Sequence, residues 1–114
     1  MASATPATAS AVQQWHAEPS IWELNQEYLR LSSSYNRQIR HLRSVVARVR
    51  PELLGLFDRN NRLWKEYVKS ECVDTPAKLF TGGTAVPNLG LRCRIKLYAA
   101  RISILQGEYA PLQH

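Results

Sequence analysis

Residues 20–72 read SIWELNQEYLRLSSSYNRQIRHLRSVVARVRPELLGLFDRNNRLWKEYVKSEC, and this stretch decides the fold. Apolar side chains recur at steps of three and four: Ile21, Leu24, Tyr28, Leu31, Tyr35, Ile39, Leu42, Val46, Val49, Leu53 and Phe57, then Trp64 and Tyr67. Asn60 is the polar interruption of the row. A period near 3.6 sustained over so many turns is the stripe of an amphipathic helix. Ser20 suits the N-cap, and Glu23 three residues later completes a capping box. Pro19 stands just outside, where its missing N–H does no harm.

Pro51 divides the stretch. It has no N–H to donate and disfavours helical geometry at Arg50. As the first residue of a new helix it is well placed, with Glu52 near the positive helix end. Two helices are expected, about 21–49 and 51–71, with a kink or corner between them; a single kinked helix is the alternative. Leu31, Tyr35 and Ile39 follow two successive four-residue steps, which a strict left-handed coiled coil would not do. Bundle packing or a short, imperfect coiled coil fits better.

Working outward, residues 73–90 carry turn signals at Asp74, Thr75, Pro76, the Thr81-Gly82-Gly83-Thr84 cluster, Pro87 and Gly90, so a connecting loop is expected there. A third helix is expected over about 91–106, from the spacing of Leu91, Ile95, Tyr98, Ile102 and Leu105. Alternation around Leu91, Cys93, Ile95 and Leu97 would instead suit a strand, but a lone strand has nothing to pair with. Gly107 and Pro111 read as stops. The fold class is therefore all-α: a long amphipathic helix with a proline kink, followed by a helical hairpin, partly coiled-coil-like. The domain plan is a flexible leader at 1–19, a helical domain at 20–110, and a loose tail at 111–114. Trp15 is expected to tuck into the domain in the manner of a staple at a helix start.

Composition bounds the functional classes. A chain of 114 residues suggests one domain. A run near the ~18 apolar residues of a membrane span is missing. The first residues have neither an apolar core nor an early lysine or arginine, so a secretory signal is not expected. Met1 to Thr8, rich in Ala, Ser and Thr, resembles the tip of an organelle transit peptide, though a disordered tail is the plainer reading. Two cysteines do not make a disulfide-rich secreted framework, so an intracellular place, cytoplasm or nucleus, is expected, with an organelle as alternative. If the last two helices form a hairpin, Cys72 and Cys93 meet at one end, where a disulfide is geometrically feasible; two reduced thiols are the plainer alternative.

The net charge of +6 favours acidic partners. Between Glu27 and Glu52 the chain has six arginines, one histidine and no acid. On a helix, Arg37, His41 and Arg48 line one side of the apolar stripe, and Arg40, Arg43 and Arg50 line the other. Charges that flank an apolar seam select partners in helical assemblies. The expected partner-binding residues are accordingly Tyr35, Ile39, Leu42, Val46 and Val49 in the seam, with Arg37, Arg40, Arg43, Arg48 and Arg50 beside it. The leading expectation is a non-catalytic subunit or adaptor of a larger assembly, meeting acidic helices of protein partners or of a second copy. The alternative is an RNA- or DNA-binding protein that uses the Arg37–Arg50 rows on phosphates. The plain alternative to both is a solvated basic face.

Catalytic motifs are missing. His16, His41 and His114 stand at no spacing from acids or cysteines that suggests catalysis, and the acids are scattered. Neither an enzyme nor a cofactor or metal is expected.

Overall fold

The computed structural model of the chain describes residues 19–80 and 85–113. These residues form helix α1 (Ile21–Val49), α2 (Leu54–Lys69), the short α3 (Thr75–Leu79) and α4 (Ala85–Glu108). A 3-10 turn at Pro51–Leu53 joins α1 to α2, a π turn at Ser70–Asp74 joins α2 to α3, and a 3-10 turn at Ala110–Gln113 follows α4. The all-α architecture is thus established, and no strand occurs among the described residues. The expected leader at 1–19, with Trp15 and His16, lies outside the described residues apart from Pro19, and so does the Thr81–Thr84 cluster.

Both ends of α1 follow from local chemistry. The Ser20 hydroxyl accepts from the Glu23 N–H at 3.1 Å, and the Glu23 carboxylate accepts from the Ser20 N–H at 3.3 Å. Two N–H groups with no helical partner are satisfied by this reciprocal box. At the other end the Arg50 N–H still reaches the Val46 carbonyl at 2.8 Å, but Pro51 has nothing to donate, and the chain turns there.

Helix α4 lies along α1, and α2 packs back on α1 and meets α4 through Trp64 against Tyr98. The buried cluster is Tyr35, Leu42 and Val46 of α1, Phe57 of α2 and Leu105 of α4. Ile39, Trp64, Tyr98, Ile102 and Tyr109 close around it. Tyr35 is fully buried. Its ring stands 4.7 Å from Trp64 and 5.4 Å from Tyr98, centroid to centroid. Tyr98 also meets Trp64 and Tyr28 edge to face, and Phe57 meets Tyr109. Such edge contacts add about 0.5–1.5 kcal/mol each beyond the area they bury. The Tyr35 hydroxyl donates to the Asn61 carboxamide oxygen, so the polar tip of the most buried ring has its partner.

Three expectations need correcting. The seam of α1 does not face a separate partner helix: Tyr35, Leu42 and Val46 are covered by α2 and α4 of the same chain, Ile39 is half-buried there, and Val49 at the helix end is exposed. A coiled coil is accordingly not supported. The loop expected at 73–90 is mostly helix. Pro76 follows directly on the π turn within an unbroken helical run from Leu54 to Leu79, and Pro87 sits in the first turn of α4, where a missing N–H has no helical acceptor to disappoint. Gly90 lies inside α4 for a different reason, taken up below. Of the expected tail at 111–114, Leu112 packs on the core and Gln113 reaches His41, while His114 lies outside the described residues.

Burial pushes the Tyr35 and Tyr98 hydroxyls up to about 12, from an ordinary value near 10. A raised folded value means that the native state holds its protons more tightly than the unfolded chain. The associated stability is complete below about pH 10 and is lost as pH rises through about 12. Urea denaturation at pH 8 and pH 11 should show a lower midpoint at pH 11, and a Tyr35→Phe, Tyr98→Phe double variant should show a smaller alkaline loss than the parent.

Candidate interaction surface

Two cysteines fix one end of the bundle. Cys72 lies in the π turn, is almost fully buried, and is joined by a disulfide to Cys93 of α4, with Cα atoms 5.4 Å apart. The bond links positions 21 residues apart and closes the α2–α3–α4 connection on itself. A π turn widens the helix by one residue. That turn carries Cys72, and its carbonyl faces α4. A Cβ on Gly90 would stand 2.9 Å from the Cys72 carbonyl oxygen, so only glycine lets α4 approach so closely. Beside the disulfide lies an open groove of about 370 Å³, walled by Tyr67, Glu71, Leu89, Arg92 and Lys96.

The arginines of α1 divide into two groups. Arg43 grips Asp58 of α2 with two bonds of 2.8 Å, from Nε and Nη2 to the two carboxylate oxygens. Arg50 pairs with Glu52, and Arg30 with Glu27. In each pair the guanidinium holds the carboxyl below its usual range, chiefly through the hydrogen bond. Arg37, Arg40 and Arg48 are exposed and form no ion pair among the described residues. The expected binding residues are therefore not brought together: Tyr35, Leu42 and Val46 are inside, Ile39 is half-buried, Val49 is exposed, and the arginines are split between ion pairs and solvent.

A second open groove, of about 460 Å³, runs between α1 and the C-terminal turn, lined by Ser34, Arg37, Gln38, His41, Gln106 and Gln113. His41 Nε2 stands 3.1 Å from the Gln113 amide oxygen. The outer surface of α1 also exposes Trp22 and Leu29. Three functional features had no clear signal in the sequence. Asn61, next to the Asn60 interruption, accepts from the Tyr35 hydroxyl. Arg101 stacks near Trp64, 5.9 Å from the ring centre, and its charge also acts on Tyr35. Arg94 lies 5.1 Å over Tyr28. Arginines at helical spacing from aromatic positions were a usable clue for the last two. No cluster of three or more His, Cys, Asp or Glu side chains able to hold a metal occurs among the described residues.

The chain is thus a small disulfide-tied helical bundle with two open grooves and exposed basic and aromatic side chains. The chain belongs to the family described as Lysozyme inhibitor LprI, which it matches over residues 2–105. Neither the curated proteins nor the solved structures contain a match to it. Family membership overturns the reading as a subunit or adaptor of a larger assembly, and the nucleic-acid alternative with it. An inhibitor of lysozyme meets its target outside the cytoplasm, so the intracellular expectation is overturned by the same finding. The expectation of a protein partner stands in its general form, and inhibition is a binding function that asks no catalysis of the inhibitor. No helix among the described residues is long and apolar enough to cross a membrane.

Closing a loop of this length stabilises a chain by about 3 kcal/mol in the chain-entropy account. Reduction under native conditions should lower the melting temperature measured by circular dichroism, and a Cys72→Ser, Cys93→Ser variant should melt at the reduced value. Gly90→Ala should also lower it, because the new methyl group must push the Cys72 carbonyl away.

Proposed function

We propose that the chain binds lysozyme and stops it from cutting cell-wall polysaccharide. The observation that carries this reading is the family match, which takes in α1, α2, α3 and most of α4. Physical chemistry supports it. Lysozyme cleaves a glycosidic bond held between two carboxyl groups. A protein inhibitor need only occupy or cover that cleft, and a rigid binder loses least conformational freedom in doing so. The disulfide and the shared aromatic core supply that rigidity. A disulfide of this kind persists in oxidising surroundings. Exposed Trp22, Arg37 and Arg40 are of the residue types enriched at protein interfaces.

Clearing of a bacterial cell-wall suspension by lysozyme tests the reading. Addition of the oxidised protein should slow clearing in proportion to its concentration, with full inhibition near one equivalent once both are well above Kd. Unchanged clearing, together with no binding by calorimetry, would refute it.

A further inference from the structure

We propose that the outward ridge of α1 is the face that enters the lysozyme cleft, with Arg37 and Arg40 set against the catalytic carboxylates. This rests on the reading as a lysozyme inhibitor and adds where and how the contact is made.

The first support is charge. Helix α1 carries no acid after Glu27. Its paired arginines are already neutralised: Arg30 by Glu27, Arg43 by Asp58, and Arg50 by Glu52. What remains on the outward side is Arg37, Arg40 and Arg48, exposed and without an ion pair among the described residues. These guanidinium groups have open forks, and a carboxylate is the group that fits such a fork in two bonds. Lysozyme's own chemistry requires two carboxyl groups within its cleft. Like charges gathered along one ridge and opposite charges gathered in one cleft are complementary, and burying such pairs together gives specificity.

The second support is shape and apolar content. Trp22, Leu29, Asn36, Arg40 and Ala47 follow spacings of seven, seven, four and seven, so they fall on one line of the helix. Trp22 is 69% exposed and Leu29 52%. Tryptophan and arginine are the residue types most concentrated where binding energy is concentrated. A helix with its side chains is a convex rod about 10–12 Å across, the shape a cleft receives. The groove beside the disulfide is a poorer match. Glu71 stands in its wall, and Arg92 is held by Asn88 at 2.6 Å.

The test is initial-rate kinetics of lysozyme on a soluble oligosaccharide substrate, with three inhibitors: the parent chain, an Arg37→Glu, Arg40→Glu double variant, and an Arg62→Glu control on α2. All three sites are exposed, so helicity and melting temperature should match the parent in each. The parent should raise KM and leave kcat unchanged. The double variant should inhibit roughly a hundredfold less well, the scale expected for losing close charge pairs at an interface, and the control within about threefold of the parent. Inhibition by the parent that is fully retained in the double variant, or equally lost in the control, overturns this face while the inhibitor reading stands. A parent chain that leaves lysozyme untouched overturns the inhibitor reading itself, and this proposal falls with it.

Discussion

Tyr35 is the side chain on which the bundle depends. It projects from α1, packs its ring on Trp64 of α2 and Tyr98 of α4, and donates its hydroxyl to Asn61. One residue therefore touches all three long helices and satisfies its polar atom in doing so. Buried aromatic rings contribute large apolar areas, and a buried hydroxyl without a partner would cancel part of that gain. The arrangement fixes both the register of α2 against α1 and the height of α4. Leu42, Val46, Phe57 and Leu105 extend the same seam toward the C-terminal turn, and the disulfide locks the opposite end.

That inward use of the stripe has a consequence for function. Once Tyr35, Leu42 and Val46 are committed to the chain's own core, what α1 itself still exposes is its far side. There the helix is basic, with an apolar start at Trp22 and Leu29. Arg43 belongs to neither side, because Asp58 draws it into a bridge between α1 and α2. Binding by such a face relies on exposed guanidinium groups and a few apolar anchors held on a stiff rod. It does not require the chain to open or to lend its core.

Much of the fold was legible from short-range patterns. The Ser20–Glu23 box and the Pro51 break are local chemistry, and both act as the residues imply. The period of the stripe revealed a buried face, but periodicity is silent about what covers it; the cover, Trp64, Tyr98 and Leu105, comes from distant segments. Pro76, Pro87 and Gly90 misled because each was read as a turn residue. Pro87 is a helix-start proline, Pro76 follows the π turn inside a continuous helical run, and Gly90 is small so that α4 can approach the Cys72 carbonyl. The Arg43–Asp58 and Tyr35–Asn61 pairs join residues 15 and 26 apart, separations that no local pattern reports. Less of the interaction surface was legible, since a helix carrying arginines suits an acidic helix, a phosphate backbone or a carboxylate cleft equally well. The family match, not a motif, set aside the first two; the carboxylate cleft is our proposal.

The most direct test of the account is an NMR titration of the isotope-labelled, oxidised chain with unlabelled lysozyme. Of the chain's three tryptophans, Trp22 lies on the exposed ridge and Trp64 against the core, and their indole signals report on the two places separately. The account predicts that the Trp22 indole and the Arg37 and Arg40 signals shift or broaden on binding, while Trp64, Tyr35 and Val46 keep their free-state positions. Perturbation centred on Trp64 and Tyr35, with Trp22 and Arg40 unmoved, would contradict it, for it would mean that the inhibitor binds by opening its core.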